Sequence, residues 1–358
     1  MAVAALRMHA TKGRGSASER AEAEATMQAN RRSDTTLVSS RIGLGTWSIG
    51  GSMWGGTDHA DAVKTIRAAL EAGITLIDTA PAYGFGRAEE LVGRAVAEHG
   101  AREHVVIATK AGLAWRAGAL YRDASPGRIA ADVEHSLRRL KTDYIDICQL
   151  HWPDPRVPLE RTAAALRALY ERGTVRAIGI SNASPQEIRT FRTVAPVHVV
   201  QASYNLFERG IERDVLPYVE RQGLSVMAAG ALCRGLLSGR MRPDTTFSGD
   251  DLRQADPKFQ PRRYRQYLRA VAALDRFAHD RYGKTVLALA LRWLLDRGIS
   301  IVLWGARKPE QLAPIDEVFG WRLDREARDD IDRLLTAIVT DPVGPDFMAP
   351  PARPTAAA

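Results

Sequence analysis

The sequence predicts an α/β fold, a (β/α)8 TIM barrel with an N-terminal hairpin and a long insertion after strand 7. Short apolar, β-branched runs alternate with helical patterns along most of the chain, which is typical of parallel strands joined by helices. Eight such runs follow one another, and 358 residues with 45% hydrophobic content suffice for one barrel of roughly 250 residues with extensions. The same alternation leaves a doubly wound open sheet as the alternative.

The elements follow in order along the chain. Residues 1–34 are poor in large apolar side chains, so we expect a disordered N-terminal tail, and residues 36–46 suggest a short hairpin leading into the first strand. The predicted strands cover residues 42–46, 74–77, 105–109, 145–150, 177–180, 197–200, 225–228 and 299–303. The predicted helices cover residues 59–72, 88–98, 125–140, 159–172, a segment from residue 184, 212–222, 263–282, 285–296, 309–319 and 325–338. The barrel domain thus spans residues 35–340, and a Pro-rich C-terminal tail spans residues 341–358. Residues 341–351 of this tail could close over a substrate pocket.

Local signals define several boundaries of these elements. Gly73 is a good end for the first helix, because glycine readily adopts the conformation that follows a helix. Ser184, Pro185 and Glu187 form an N-cap, a proline at the first helical position and a capping box. The loop at 229–260 is far longer than an ordinary connection, which favours a functional insertion.

Composition argues against several classes of protein. The net charge of +8 raises the question of nucleic acid, but only seven of the 50 basic residues are lysine, and the arginines are interspersed with acids on helical faces. We therefore expect no nucleic-acid partner. No run approaches the ~18 apolar residues of a membrane span, so we expect a cytoplasmic protein without membrane contact. Cys148 and Cys233 are too few for a disulfide framework or a thiolate metal site, so we expect no metal. We also expect a monomer or weak homo-oligomer.

Polar residues and glycines follow the apolar runs, where a barrel of this class places its active site. They include an acid, a lysine and a histidine. The set comprises Thr46, Asp78, Lys110, His151, Ser181, Asn182, Gln201, Gly230, Gly305 and Arg307.

Between about residues 41 and 335 the chain resembles the aldo-keto reductases. The matching stretches are Asp78-Thr79-Ala80 with Tyr83-Gly84, Thr109-Lys110, Leu150-His151, Gly179-Ile180-Ser181-Asn182, and Gln201 with Tyr204-Asn205-Leu206. Residues 232–239 and 304–309 look most like the bacterial general-stress branch of that family. The resemblance implies an NADP(H)-dependent oxidoreductase that interconverts small carbonyl compounds and alcohols.

Four residues carry the chemistry that this resemblance implies. Carbonyl reduction needs a proton at the oxygen that would otherwise become an alkoxide. By resemblance, Tyr83 donates that proton, Lys110 tunes its pKa, Asp78 pairs with Lys110, and His151 orients the carbonyl.

The resemblance also implies an NADP cofactor. Ser181, Asn182 and Gln201 would hold the nicotinamide carboxamide, Tyr204 would stack on its ring, and Arg234 with its loop would meet the pyrophosphate. The full cofactor set is Thr46, Trp47, Asp78, Ser181, Asn182, Gln201, Tyr204, Gly230, Ala231, Leu232, Cys233, Arg234, Gly235, Gly305, Ala306, Arg307, Lys308 and Gln311. Arg307 and Lys308 would meet the adenosine 2′-phosphate, and Pro314 and Ile315 depart from the family's usual adenine contacts.

Trp54, Trp115 and Trp152 are the substrate candidates, because tryptophans after strands one, three and four suggest an aromatic wall. Packing beneath loops is the alternative. Two other functions also remain. One is a cofactor-binding regulatory subunit with little turnover, and the other is a Schiff-base enzyme that uses Lys110 as a nucleophile.

Overall fold

The computed structural model describes residues 37–100 and 102–353. The ten strands of the described residues are β1 (Ile42–Gly45), β2 (Leu76–Asp78), β3 (Val106–Ala111), β4 (Leu113–Arg116), β5 (Ala119–Arg122), β6 (Ile147–Leu150), β7 (Ile178–Ser181), β8 (Val199–Ser203), β9 (Ser225–Ala229) and β10 (Ile301–Gly305). Eight parallel strands form a closed barrel in the order β1-β2-β3-β6-β7-β8-β9-β10, which confirms the predicted barrel and excludes the open sheet. The register places Gly45 opposite both Gly305 and Asp78 where the barrel closes.

Helices surround the barrel. They are α1 (His59–Glu71), α2 (Arg87–His99), α3 (Pro126–Leu140), α4 (Leu159–Glu171), α5 (Pro185–Arg192), α6 (Val215–Arg221), α7 (Pro261–Tyr282), α8 (Val286–Asp296) and α9 (Arg325–Ile338). A large apolar cluster fills the space between helices and strands, and a smaller one, which includes Leu76, Met227 and Leu303, fills the barrel interior. The interior is therefore a packed core, and the cavity described below lies above it.

Two helix boundaries form as the sequence signals predict. Gly73 follows α1 with a φ of 81°, and its N–H donates to the Leu70 carbonyl. The Ser184 hydroxyl accepts from the Glu187 N–H at 3.3 Å, while the Glu187 carboxylate accepts from the Ser184 N–H at 2.8 Å. This reciprocal capping box opens α5.

The predicted N-terminal hairpin is wrong for the described residues, since 37–41 contain no strand. Their hydrogen bonds go elsewhere: the Ser40 N–H donates to Thr75 Oγ1 and the Thr75 N–H donates to Ser40 Oγ, both at 2.9 Å. Leu37 packs against the interior cluster. The segment thus lies against the barrel instead of pairing with itself. The predicted disordered tail, residues 1–34, lies outside the described residues.

A hairpin does form after β3, where β4 and β5 pair antiparallel. Its two-residue turn consists of Ala117 and Gly118, with φ values of 49° and 81°. Positive φ at both central positions matches the right-handed twist of paired strands. Sequence reasoning missed this hairpin, although a small residue and a glycine between alternating apolar positions were a usable signal.

The helix predicted at residues 309–319 is interrupted. Two 3-10 segments, Pro309–Gln311 and Ala313–Val318, replace it. Pro314 has a ψ of 15° and lies outside helical geometry. Proline lacks the N–H that a continuous helix would use at this position.

The long insertion after the seventh barrel strand is confirmed, and it bridges the barrel mouth. The Asp250 carboxylate accepts from the Met53 N–H at 2.7 Å and from the Gly55 N–H at 3.0 Å. The Leu252 N–H returns a bond to the Met53 carbonyl at 2.9 Å. These contacts hold the insertion against the loop that follows β1.

Candidate active site

A cavity of about 540 Å³ opens at the carboxyl ends of the barrel strands. Its volume is ordinary for a site that binds a cofactor or small ligand. The predicted residues that line it are Trp47, Trp54, Asp78, Tyr83, His151, Trp152, Ser181, Asn182, Gln201, Gly230, Ala231, Leu232, Arg234, Gly235, Gly305, Arg307 and Gln311. Most of the sequence-predicted set is therefore gathered around one space.

Asp78 and Lys110 form a buried ion pair on neighbouring strands β2 and β3. The Lys110 ammonium donates to Asp78 Oδ1 at 2.7 Å and to the Thr79 carbonyl at 3.0 Å. The other carboxylate oxygen accepts from Gln201 at 2.8 Å and from Gln149 at 3.3 Å. Both charges are hydrogen-bonded, which a buried pair requires.

Tyr83 lies over this ion pair. The Lys110 ammonium is 4.9 Å from the centroid of the Tyr83 ring. The Trp47 ring stacks on the phenol at 6.0 Å, and the His151 ring meets it edge-on at 5.9 Å. Phenol, ammonium and imidazole therefore converge at one place, where Tyr83 and His151 line the cavity and Lys110 is buried outside its lining.

A close backbone contact fixes the loop that carries Tyr83. A Cβ on Gly50 would lie 2.6 Å from the Tyr83 carbonyl carbon, and a Cβ on Gly84 would lie 2.1 Å from the Gly50 carbonyl oxygen. Gly84 also has a φ of 63°. Only glycine fits at these two positions without a shift of the loop.

Burial and charge set the protonation state of the pair Tyr83 and Lys110. Desolvation raises the pKa of Tyr83, and the nearby Asp78 charge adds to that effect, while Lys110 opposes both. Burial by itself lowers the pKa of Lys110, but attraction to Asp78 and Tyr83 prevails and the pKa is raised. At neutral pH the phenol therefore keeps its proton and the amine keeps its charge.

His151 is neutral at this pH. Burial and, secondly, the Lys110 ammonium lower the pKa of its imidazole well below the usual value. A neutral imidazole can hydrogen-bond a substrate oxygen without adding a second positive charge beside Lys110.

Ser181, Asn182 and Gln201 lie at the ends of β7 and β8. Asn182 Nδ2 donates to the His151 carbonyl and to Ser181 Oγ, both at 3.0 Å. The amide oxygen of Asn182 accepts no hydrogen bond from the described residues. This set can therefore offer acceptors and a hydroxyl to a ligand amide.

Arg307 lies at the other end of the cavity. Its guanidinium donates to the Trp54 carbonyl at 3.1 Å and to the Gly56 carbonyl. The Gln311 amide oxygen accepts from the Arg307 N–H at 2.6 Å. Desolvation lowers the pKa of Arg307, and the like charge of Arg253 lowers it further, so two guanidinium groups lie close enough to repel each other.

Comparison with known proteins identifies the family. Residues 41–336 match the model of the Aldo/keto reductase family. The chain is 56% identical over 321 residues to the aldo-keto reductase YhdN of Bacillus subtilis, covering 89% of this chain and 97% of that protein. The chain belongs to the aldo-keto reductase family. It is accordingly an oxidoreductase of carbonyls and alcohols, and the alternative of a regulatory subunit receives no support from these relatives.

Solved structures of aldo-keto reductases agree with the fold. The glycerol dehydrogenase AKR11B4 from Gluconobacter oxydans superposes with a TM-score of 0.81 at 48% identity, covering 91% of this chain and 100% of that one. An aldo/keto reductase from Klebsiella pneumoniae in complex with NADP and acetate gives a TM-score of 0.63 at 29% identity, with 83% and 92% covered.

The expected role of Arg234 needs correction. Arg234 lines the cavity in the loop after β9, but its guanidinium donates to Asp256 Oδ2 at 2.5 Å and to Glu208. The side chain is only 3% exposed. It is therefore committed to two buried carboxylates and is not free to bind a pyrophosphate.

Tyr204 does not lie where a stacking residue would. Its ring packs on Trp293 at 5.2 Å, its hydroxyl donates to Glu212 at 2.5 Å, and it does not line the cavity. Its position just past β8 turns the ring outward into the helical layer. Stacking on a nicotinamide is therefore not a role that this arrangement allows.

Several other predicted residues lie behind the cavity wall or beside it. Thr46 supports the site indirectly, since its hydroxyl donates to the Asp78 carbonyl at 2.9 Å. Trp115 lies on the β4–β5 hairpin, which turns the Trp115 ring away from the cavity. The ring packs on Phe85 at 5.6 Å and under the guanidinium of Arg128 in α3. Four more lie outside the lining, namely the buried Lys110, Cys233 and Ala306 and the exposed Lys308.

Sequence reasoning missed much of the cavity rim. The hairpin contributes Leu113 and Leu120. The C-terminal tail, which the sequence suggested could close over a substrate pocket, contributes Met348 and Pro350. From the insertion come Arg240, Met241, Thr245, Thr246, Phe247 and Arg253. The length of the insertion signalled a functional loop, but no spacing within it indicated which side chains would point to the cavity.

Proposed function

We propose that this aldo-keto reductase is NADP(H)-dependent and interconverts aldehydes or ketones and alcohols, with Tyr83 as proton donor and acceptor. The contact of Lys110 with both Asp78 and Tyr83 is the observation that carries this proposal. A half-buried phenol and a neutral imidazole that line the cavity, with a fixed ammonium against the phenol ring, suit proton transfer to an oxygen.

The cofactor, when bound, supplies the hydride that is transferred to the carbonyl carbon. Ser181, Asn182 and Gln201 would hold its carboxamide, and Trp47 would lie beside the reacting centre. No metal-binding cluster of His, Cys, Asp or Glu occurs within residues 37–100 and 102–353, and the mechanism needs none.

Tyr83 would give its hydroxyl proton to the carbonyl oxygen as the alkoxide develops. The raised pKa of Tyr83 keeps that proton in place before reaction. Lys110 would stabilise the phenolate that remains, at a distance already set by Asp78. His151 would donate a hydrogen bond to the same carbonyl oxygen and orient it.

The Schiff-base alternative is less well supported. The Lys110 ammonium is charged and holds two hydrogen bonds, to Asp78 and to the Thr79 carbonyl. A nucleophilic amine must be deprotonated, and a pKa raised by Asp78 works against that.

The preference for NADP over NAD rests on Arg307. Its repulsion from Arg253 would be relieved by a bound phosphate dianion, and a guanidinium suits a phosphate monoester. Lys308 follows it in the chain and is exposed at the same end. Gln311 holds the backbone of both residues, which fixes their direction.

Fluorescence quenching by NADPH and by NADH tests this preference. Arg307→Met should weaken NADPH binding by about ten-fold or more and change NADH binding by less than about two-fold. Arg325→Met is the matched control, because it removes one charge from a side chain that is 91% exposed on α9. Equal affinities of the wild-type protein for the two cofactors would remove the role given to Arg307.

We also propose a cytoplasmic protein that acts on a small molecule as a monomer or weak homo-oligomer, without nucleic acid. The thiols of Cys148 and Cys233 are both free, which supports a reducing compartment. Many arginines pair within their own helix, as Arg94 does with Glu98, which supports solvated faces over a nucleic-acid surface. No helix of the described residues has the length and hydropathy to span a membrane.

A further inference from the structure

The C-terminal segment, defined here as residues 344–352, forms part of the wall of the cavity. Met348 and Pro350 line it beside Trp152 and Leu120. Within the segment, a single 3-10 turn at Asp346–Met348 is the regular structure. Contacts with residues outside the segment must therefore hold it in place, since one short turn does not order nine residues.

One anchor is Lys258, in the insertion after β9. The side chain of Lys258 is fully buried, and its ammonium donates to the Gly344 carbonyl at 3.1 Å. The same ammonium lies 2.8 Å from Glu208 and 3.7 Å from Asp256. The start of the segment is thus bound to a charge that is itself fixed on two carboxylates.

Lys258 belongs to a balanced cluster of two cations and two anions, completed by Arg234. All four side chains are almost inaccessible to solvent. Burying four charges is expensive, and apolar residues of similar volume would often stabilise a fold as well. What an apolar residue at 258 would lack is the donor to the Gly344 carbonyl.

The second anchor is Arg122, at the end of β5. Its Nε donates to the Pro350 carbonyl at 2.8 Å, and its backbone N–H donates to the Pro351 carbonyl at 2.9 Å. Prolines cannot donate backbone hydrogen bonds, so this part of the segment depends on donors from outside.

Arg122 also joins the segment to the loop that carries Trp152. A second guanidinium nitrogen of Arg122 donates to the Pro153 carbonyl at 3.0 Å, and the guanidinium lies 5.0 Å over the Trp152 ring. Hairpin, Trp152 loop and C-terminal segment meet at this one side chain.

We propose that Arg122 and Lys258 are positioning residues, which fix the C-terminal segment as the wall that receives the substrate. Neither side chain lines the cavity, so both act through Met348, Pro350 and Trp152. The proposal rests on the proposed function, because it assigns this end of the cavity to the carbonyl substrate.

A double-mutant cycle with a truncated chain tests the proposal. The variants are Lys258→Met, Arg122→Met, the chain ended after Val343, and each substitution within that shortened chain. For an aldehyde with saturating NADPH, each substitution in the full chain should raise KM by about five-fold, with kcat changed by less than about two-fold. Truncation should raise KM at least as much, and the substitutions should add nothing further to it.

Arg353→Met is the matched control. It removes an arginine from the same tail, whose guanidinium is 59% exposed and reaches Asp123 only at 3.6 Å, and KM should stay at the wild-type value. If Lys258→Met does not fold, the double variant Lys258→Met with Glu208→Gln replaces it in the same measurements. This variant keeps one cation and one anion in the buried cluster, so the charges remain balanced.

Two results would overturn the proposal. One is a rise in KM caused by Lys258→Met or Arg122→Met that persists in full in the truncated chain, and the other is a KM unchanged by both. Amide hydrogen exchange of residues 344–352 separates this failure from failure of the proposed function, since it needs no turnover. Faster exchange in both variants supports the two anchors, and unchanged exchange overturns them even for a protein that reduces no aldehyde.

Discussion

Lys110 holds a positive charge where almost no water reaches it, because Asp78 and the Thr79 carbonyl accept its hydrogen bonds. The same ammonium faces the ring of Tyr83. Lys110 alone would lower the pKa of the phenol, but burial outweighs it and the pKa is raised. In the proposed mechanism Lys110 would therefore act mainly on the phenolate formed during reaction, and not by ionising the resting phenol.

The pH dependence of the two reaction directions follows from these shifts. In the proposed mechanism, reduction needs protonated Tyr83, whose pKa is raised above its usual value, and neutral His151, whose pKa is lowered. We expect kcat/KM for aldehyde reduction to stay flat between about pH 7 and 9, and kcat/KM for alcohol oxidation to rise with pH because it needs the phenolate. Steady-state rates in both directions check this, and a fall in reduction with a midpoint near pH 8 would contradict it.

At the scale of elements, the barrel strands form the rigid support of the site, and contacts between loops fix the position of Tyr83. The loop after β1 and the loop after β2 touch through Gly50 and Gly84, with no room for a Cβ at either position. The position of Tyr83 therefore depends on backbone contact as well as on charge.

Gly50→Ala tests this dependence. The new Cβ would meet the Tyr83 backbone at 2.6 Å, so we expect kcat to fall by about ten-fold or more and the free energy of unfolding to fall by about 1–3 kcal/mol. Gly127→Ala is the control, since a Cβ there has open space within α3, and it should leave kcat unchanged. Turnover and thermal unfolding of both variants decide the matter, and equal kcat values for the two would refute the backbone role.

At the scale of the whole molecule, the two ends of the barrel differ in what they do. The carboxyl ends of the strands surround the cavity, and the opposite end carries a cluster around Arg102. Its guanidinium donates to Asp146 and Thr142 and to the carbonyls of Val105 and Tyr144, at 2.7–3.0 Å. These bonds join β3 to the start of β6 far from the reacting groups, so they serve stability.

Arg102→Met should therefore lower stability and spare activity. We expect a loss of about 2–3 kcal/mol in the free energy of unfolding, with kcat/KM for an aldehyde within about two-fold of the wild type. Arg94→Met, which removes a 59% exposed partner of Glu98, should cost less than about 0.5 kcal/mol. Denaturant unfolding and turnover measure both effects, and a large loss of kcat/KM in Arg102→Met at full stability would contradict the separation.

The barrel and the positions of Asp78, Lys110 and His151 at its mouth could be predicted from the period of the strands and the rule for parallel barrels, because a polar residue lies at or just past the end of each apolar run. The roles proposed for these residues came from the resemblance to the family. Arg234 and Tyr204 could not be predicted in this way, because their side chains are fixed by Glu208, Asp256 and Trp293, which come from distant segments. The rim was missed for a similar reason, since the hairpin and the insertion acquire their direction only from contacts across the mouth.

The proton donor is the central claim, and Tyr83→Phe tests it most directly. The measurement is kcat/KM for an aldehyde such as a nitrobenzaldehyde, with NADPH affinity determined in parallel by fluorescence quenching. Loss of the hydroxyl should lower kcat/KM by about 10³-fold while NADPH affinity stays within about two-fold. A variant that retains more than about a tenth of the wild-type kcat/KM would contradict the account.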